Sequence, residues 1–421
     1  MSNLIRSGSA LVPAAGSAAA AGETTTPAGE IDIRLEDPVV AAVSAPGEKR
    51  WGFHQFPQLS RMPGGQLLLT YAHNEDAVAT YGTVCPALVS ADDGRTWKPL
   101  EKDGTPFVPS KPHGCVFEVL DGQFLTAPPA PNFDLKAAGM ALPAKVGGTR
   151  SFDLFRLDQC PKPLQEHLGA LPAWRWFPAT KQWQTEKIGY DARDALVWEI
   201  ADARGLIPRT WFEHPPVRLG KELIYADYRT MYLLDGGDVP RNNTCSCMVS
   251  TDNGRSFERR GTIAADPDGT LQMNEPVIAA TAEGALVCAI RTDPKPGMLM
   301  TSSLDRGRTW SKPAKLHPFG VFPGMVLLGN GVLALSYGRP GVHLKFSPDG
   351  CGRGWTEPTT LIAGDEKKTI EATCGYTSLL EIGRDEFLIA YSDFEHRGAD
   401  GRQCKAILVR RVHAARLAQA K

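Results

Sequence analysis

The chain has 421 residues, 42% of them hydrophobic and 22% charged, and its 46 basic residues stand against 47 acidic ones for a formal net charge of −1. No field of one sign dominates such a molecule, which argues against bulk nucleic-acid binding and polybasic membrane attachment. No run of 18 apolar residues occurs, so no membrane span is expected, and 42 glycines with 33 prolines favour many short strands over long helices.

Residues 1–30 are rich in Ala, Gly, Ser and Thr, and Pro13, Gly16 and Ser17 interrupt the apolar stretch from Ala10 to Ala21. This reads as a flexible leader and gives a cytoplasmic expectation, a cleaved signal with a secreted or periplasmic location being the alternative. Ile31 to Val43 reads as a strand that closes the last repeat against the first. Hairpins follow at Phe56 to Tyr71, Gly114 to Leu125, Val217 to Tyr228, Pro276 to Arg291, Met325 to Tyr337 and Tyr376 to Tyr391, each an alternating apolar pair around a Gly-containing turn. The stretch 128–204 is too long for a turn and is expected to be an irregular insertion ending in a helix over Asp191 to Ala201, with Trp174, Trp176 and Trp183 packing it onto the body. Nine cysteines lack paired spacing; Cys245 and Cys247 share one strand face and read as buried thiols, which fits a reducing compartment. No metal-ligand spacing and no Gly-rich strand-to-helix loop occur, so no cofactor is expected.

Four short segments repeat one pattern: Ser90-Ala-Asp-Asp-Gly-Arg-Thr-Trp97, Ser250-Thr-Asp-Asn-Gly-Arg-Ser-Phe257, Ser303-Leu-Asp-Arg-Gly-Arg-Thr-Trp310 and the stretched Ser347-Pro-Asp-Gly-Cys-Gly-Arg-Gly-Trp355. The Asp and Ser side chains can accept backbone N–H bonds, Gly supplies a positive φ, and the aromatic packs between sheets. The pattern resembles the Asp box of the sialidase-type β-propellers. The resemblance spans roughly Arg50 to Val412 and implies an all-β, six-bladed propeller over residues 31–421, one blade per hairpin, with the insertion in the second blade region.

The same resemblance assigns residues. Asn274-Glu-Pro-Val-Ile to Ala289-Ile-Arg291 is similar to the sialidase segment in which a Glu opens one strand and an Arg closes the next, making Glu275 the base and Arg291 a carboxylate clamp. Hairpin symmetry alone sets Glu275 opposite Arg291. Arg339, shortly before the fourth box, is similar to a second clamp arginine, and Cys374-Gly-Tyr-Thr-Ser-Leu resembles the segment that carries a tyrosine nucleophile, Tyr376. A phenol with a pKa near 10 needs a base, and a neutral nucleophile avoids repulsion by a substrate carboxylate. The resemblance weakens at His54-Gln-Phe-Pro57, where Gln55 stands in place of the leading arginine of the family's triad; hairpin symmetry sets His73 across from it, and Arg50, Arg61 or Arg229 could supply the missing charge. In the loop His73-Asn-Glu-Asp-Ala77, Asp76 matches the family's general acid, with Glu75 as rival.

The function expected is a retaining exo-glycosidase on a terminal, sialic-acid-like sugar, its partner being a glycan or glycoconjugate. Two other classes remain open: a uronic-acid polysaccharide lyase using His54, His73 or His113 with a tyrosine, and a non-catalytic glycan-binding propeller.

Overall fold

The four Ser-x-Asp segments fold alike in the computed structural model, which describes residues 31–100, 114–293, 297–365, 367 and 372–417. In the first, Ser90 Oγ donates to Asp92 Oδ1 at 2.7 Å and accepts from the Gly94 amide at 2.8 Å, while Asp92 takes the Thr96 amide at 2.9 Å and the Thr96 hydroxyl at 2.6 Å. The turns at Ser250 and Ser303 reproduce these bonds. In the stretched copy the amide bonded to Ser347 Oγ is that of Gly352, at 3.0 Å. Gly307 has φ +86°, and a Cβ there would stand 2.6 Å from Cys247 Sγ, so each turn needs glycine for its backbone and for its approach to a neighbouring sheet.

The structure is nearly all β, with one short α-helix at Lys162–Leu168 among the described residues. Each of the six expected hairpins is an antiparallel pair. Three separate four-stranded sheets begin at the inner strands Phe53–Arg61, Gln272–Ala280 and Val321–Leu327. Phe117–Glu118 and Val217–Leu219 open the two ends of an eight-stranded sheet, whose halves are joined by a short parallel pairing of Gly189 and Tyr190 with Ser256 and Phe257. The last sheet runs from Thr377–Gly383 through Glu386–Arg397 to Gln403–Arg416, and both Ile31–Leu35 and Val39–Val43 pair with that final strand. The first two and the last described strands thus share one sheet, as the strand expected at Ile31 to Val43 requires.

Neighbouring inner strands touch in sequence: Phe53–Arg61 meets Thr377–Gly383, which meets Val321–Leu327, which meets Gln272–Ala280, which meets the sheet of Glu222–Asp227. The Val116 amide donates to Ser60 Oγ at 3.0 Å, and a core of Phe117, Leu125, Leu223, Tyr225 and Met248 closes the circuit. This is the circuit of a β-propeller. Apolar residues on both faces of each inner sheet bury between neighbours, as in the cluster of Val332, Leu344, Phe346, Phe387 and Ile389.

The insertion differs from the expectation in two ways. Asp191 to Ala201 is not helical: Ala195–Ile200 is a strand paired along its length with Phe152–Arg156, because tertiary pairing to an apolar partner outweighs the local helical spacing. Trp174, Trp176 and Trp183 lie on Ala170–Phe177 and Gln182–Tyr190, two interior strands of the eight-stranded sheet, so they belong to the sheet and not to an appended segment. The extra chain is split around them, and its strands Gly147–Gly148, Phe152–Arg156 and Ala195–Ile200 form a separate small sheet with Met231–Tyr232. The leader, and His113, lie outside the described residues.

Candidate active site

Three inner strands carry the same device near their starts. Phe56, Glu275 and Phe322 each precede a proline, and each adopts a positive φ, of 51°, 47° and 42°. Proline disfavours the right-handed helical region for the residue before it, and the ladder register shifts at all three places, between Gln55 and Gln58, Asn274 and Val277, and Val321 and Gly324. Such bulges re-aim one side chain at the cost of local strain. The three re-aimed side chains meet on Tyr376. Phe322 stacks on its ring at 4.6 Å, Phe56 meets it edge-on at 4.7 Å, and Glu275 Oε1 accepts the Tyr376 hydroxyl proton in a short hydrogen bond.

Glu275 sits behind Tyr376 with both oxygens engaged. Oε1 also accepts from Arg291 Nη1 at 2.8 Å, and Oε2 accepts the Phe322 amide at 2.8 Å. Burial alone would push this carboxyl up, but Arg291, the Tyr376 hydroxyl and the Phe322 amide outweigh it and hold Glu275 below the ordinary carboxylate value. For Tyr376 burial and the Glu275 charge act together, pushing the phenol well above its usual range, so it rests neutral. Arg291 Nη1 lies 3.4 Å from the Tyr376 oxygen, and Arg291 Nε pairs with Asp293 at 2.8 Å. Arg339 donates from Nη2 to the Cys374 carbonyl at 3.0 Å and holds its guanidinium 5.5 Å from the Tyr376 ring and 5.3 Å from that of Trp51.

Tyr376 and Phe56 form one side of an open cleft of about 160 Å³. The loop after Leu67–His73 supplies Glu75, Asp76 and Tyr81, and Trp51 Nε1 donates to Asp76 Oδ2 at 2.9 Å. Trp211, Glu213 and Arg229 line the cleft as well. Arg229 lies flat on the Trp211 ring at 3.6 Å and donates from Nε to Glu213 Oε1 at 2.9 Å, and the Tyr228 hydroxyl reaches the same oxygen at 3.5 Å. Burial raises the Glu213 carboxyl above the ordinary value in spite of Arg229.

The structure therefore brings Tyr376, Glu275, Arg291 and Arg339 together and places Asp76 on the same cleft. It does not bring Gln55 or His73 there. The bulge pairs Gln55 with Ala72 and sets His73 opposite Phe53, so hairpin symmetry misplaces both. Gln55 is completely buried, with no hydrogen-bond partner for its amide among the described residues, and Phe56 takes the cleft position. His73 is exposed and rests against Phe53 and His54. Likewise Arg291 pairs with Asn274, not with Glu275, which the bulge leaves outside the ladder. Of the arginines considered as a substitute charge, Arg50 binds Glu48 and Arg61 binds the Glu381 carbonyl, while Arg229 alone lines the cleft. His54 is buried against Tyr71, so neither described lyase candidate among the histidines lines the cleft. Glu213 and Trp211 were not singled out from sequence. The available signal was Glu213-His-Pro-Pro216 just ahead of a hairpin, a relative of the Glu275-Pro276 start.

Among the described residues no group of three His, Cys, Asp or Glu side chains is placed to hold a metal ion, and no helix is long and apolar enough to cross a membrane.

Neither a family model nor a curated protein sequence matches the chain. Solved structures do. A protein of unknown function from Dyadobacter fermentans is similar over 91% of this chain and 99% of its own, at 16% identity and a TM-score of 0.58. The α-L-arabinofuranosidase of Fusarium graminearum, solved with an iminosugar inhibitor, is similar over 89% and 97% at 13% identity and a TM-score of 0.52. A Hadza microbial sialidase is similar over 86% and 65%, at 16% identity and a TM-score of 0.49. What the first two share with this chain is the fold.

Proposed function

We propose that the chain is a glycoside hydrolase that releases a terminal sugar with retention of configuration, on a propeller of six blades in a single domain. The observation that carries this reading is the order of groups at the cleft: Tyr376 in front, Glu275 behind it with both oxygens engaged, Arg291 beside both. A neutral phenol becomes a nucleophile only if its proton leaves as it attacks, and Glu275 is the acceptor in contact with that proton. Tyr376 would attack the anomeric carbon while a carboxylic acid across the cleft protonates the departing oxygen, and water would then release the sugar from the tyrosyl ether.

Two observations bear on the sugar. Arg291 and Arg339 flank Tyr376 and would anchor a substrate carboxylate, as the sialic-acid-like expectation needs. Against it, Gln55 does not reach the cleft, and the side chains lining it include Glu75, Asp76 and Glu213 with Arg229 as the balancing cation. The Glu75 and Asp76 carboxylates on this cleft disfavour an acidic sugar, so we favour an uncharged one, for which arabinofuranose is the first candidate given the shared fold. The test is turnover of methylumbelliferyl α-L-arabinofuranoside against the N-acetylneuraminate analogue, with mass analysis for a sugar adduct on Tyr376. Turnover without an adduct in Tyr376-containing peptides, and undiminished in Tyr376→Phe, would remove the mechanism; turnover of the neuraminate alone would restore the acidic sugar.

A further inference from the structure

We propose that Glu213, and not Asp76, is the catalytic acid and base of this cleft, held by Arg229 on the face of Trp211. The inference rests on the hydrolase reading above and departs from the expectation of an aspartate in the loop after the first hairpin. Its basis is how the two carboxyl groups are held. Arg229 Nε and the Tyr228 hydroxyl both converge on Glu213 Oε1, which leaves Oε2 outside these contacts on a residue that lines the cleft. Arg229 is in turn fixed flat on Trp211, whose carbonyl accepts the Tyr225 hydroxyl at 3.0 Å, and that hydroxyl accepts the Glu213 amide at 3.2 Å. Glu213 is thereby fixed through side chain and backbone in the bend ahead of Val217–Leu219. Asp76 spends Oδ2 on the Trp51 indole.

The charged and titratable groups facing Glu213 include Arg229, Tyr228, Tyr225, Cys115, Asp227 and Glu275. Burial raises Glu213, whereas Arg291 and its companions hold Glu275 down despite burial. Two carboxyl groups driven apart by their surroundings in one site divide naturally into proton donor and proton acceptor. In the first step the Tyr376 oxygen bonds to the anomeric carbon as its proton passes to Glu275. The bond to the leaving oxygen breaks, and that oxygen takes the Glu213 proton. In the second step water bonds to the anomeric carbon, its proton returns to Glu213, and the Tyr376 oxygen departs and recovers the proton from Glu275. The sum is glycoside plus water giving sugar plus alcohol.

The test compares wild type, E213Q and D76N on dinitrophenyl and methyl α-L-arabinofuranosides, and on the corresponding neuraminates, with and without azide. A dinitrophenolate leaves without a proton, and a methoxide does not. E213Q is expected to lose about 10²–10⁴-fold of methyl glycoside turnover. It should keep the burst on the dinitrophenyl substrate and recover with azide by forming a glycosyl azide of retained configuration. D76N should lose both substrates equally and gain nothing from azide. If E213Q fails to fold, D76N decides alone: leaving-group dependence and azide rescue in D76N overturn the assignment, and their absence supports it. A wild type inert towards all four glycosides would overturn the hydrolase reading, and this assignment with it.

Discussion

Replacing Tyr376 by phenylalanine separates chemistry from architecture at this site. The ring keeps its stack on Phe322 and its edge contact with Phe56, so packing is conserved. Only the hydroxyl is lost, and with it a hydrogen bond to an ionised acceptor, a contribution of about 1.5–3 kcal/mol, and the long contact from Arg291 at 3.4 Å. Glu275 still keeps Arg291 and the Phe322 amide, so no unpaired buried carboxylate is created and the cost belongs at the lower end of that range. With an unfolding entropy of about 2 cal/mol/K per residue, a chain of this size should lose roughly 2 °C in Tm. Turnover should fall by about 10³-fold or more, because no other group stands where the phenol does. Differential scanning calorimetry and steady-state kinetics on the arabinofuranoside read both quantities. A variant that loses the expected few degrees yet turns over within about threefold of wild type would refute the reasoning, leaving Tyr376 as a structural prop.

Gln55→Arg should destabilise the fold and leave neuraminate affinity flat, since position 55 is enclosed and a guanidinium there would be buried without a counter-charge, whereas Gln55→Met should cost less than about 1 kcal/mol; urea denaturation and calorimetric titration distinguish the two. Ser303→Ala leaves the buried Gly307 amide without its acceptor and should cost about 1–3 kcal/mol, well above Thr309→Ala, which removes only an exposed donation to Asp305, as denaturant midpoints would show. His54 is lowered to about 4, by burial first and then His73, and His214 to about 4 by burial. Because the unfolded chain takes up these protons near pH 6.5 and the native state does not until about pH 4, stability should fall as pH drops through that window. The slope is at most about 1.4 kcal/mol per pH unit per histidine, and His54→Phe should flatten it in denaturation measured across pH. Below that window Glu275, whose folded value is depressed, adds its own loss as pH falls through it.

The sequence showed the parts that repeat and hid those that depart from a regular ladder. The Ser-x-Asp turns and the hairpins are local: side-chain acceptors, a positive-φ glycine and alternating apolar residues sit within a few positions of each other. Tyr376, Glu275, Arg291 and Arg339 were legible through the resemblance, but their mutual placement depends on bulges that no alternation predicts. The same bulge that turns Phe56 into the cleft takes Gln55 out of it, which is why a one-residue reading of that strand failed. Asp191 to Ala201 carried helical spacing and became a strand because Phe152–Arg156 offers a full ladder. Glu213 was missed because its role depends on Arg229 and Trp211 lying beneath it, contacts between segments that have no local signature.

The pairing of Ile31–Leu35 and Val39–Val43 with Gln403–Arg416 orders events during synthesis. The first two strands emerge from the ribosome more than three hundred residues before the strand that receives them. Until then their backbone N–H and C=O groups are unpaired, and Ile31, buried in the finished molecule, stays uncovered. Closure must therefore wait for residues 403–416, and a nascent chain stalled before residue 403 should remain protease-sensitive over 31–43 however well its middle has folded.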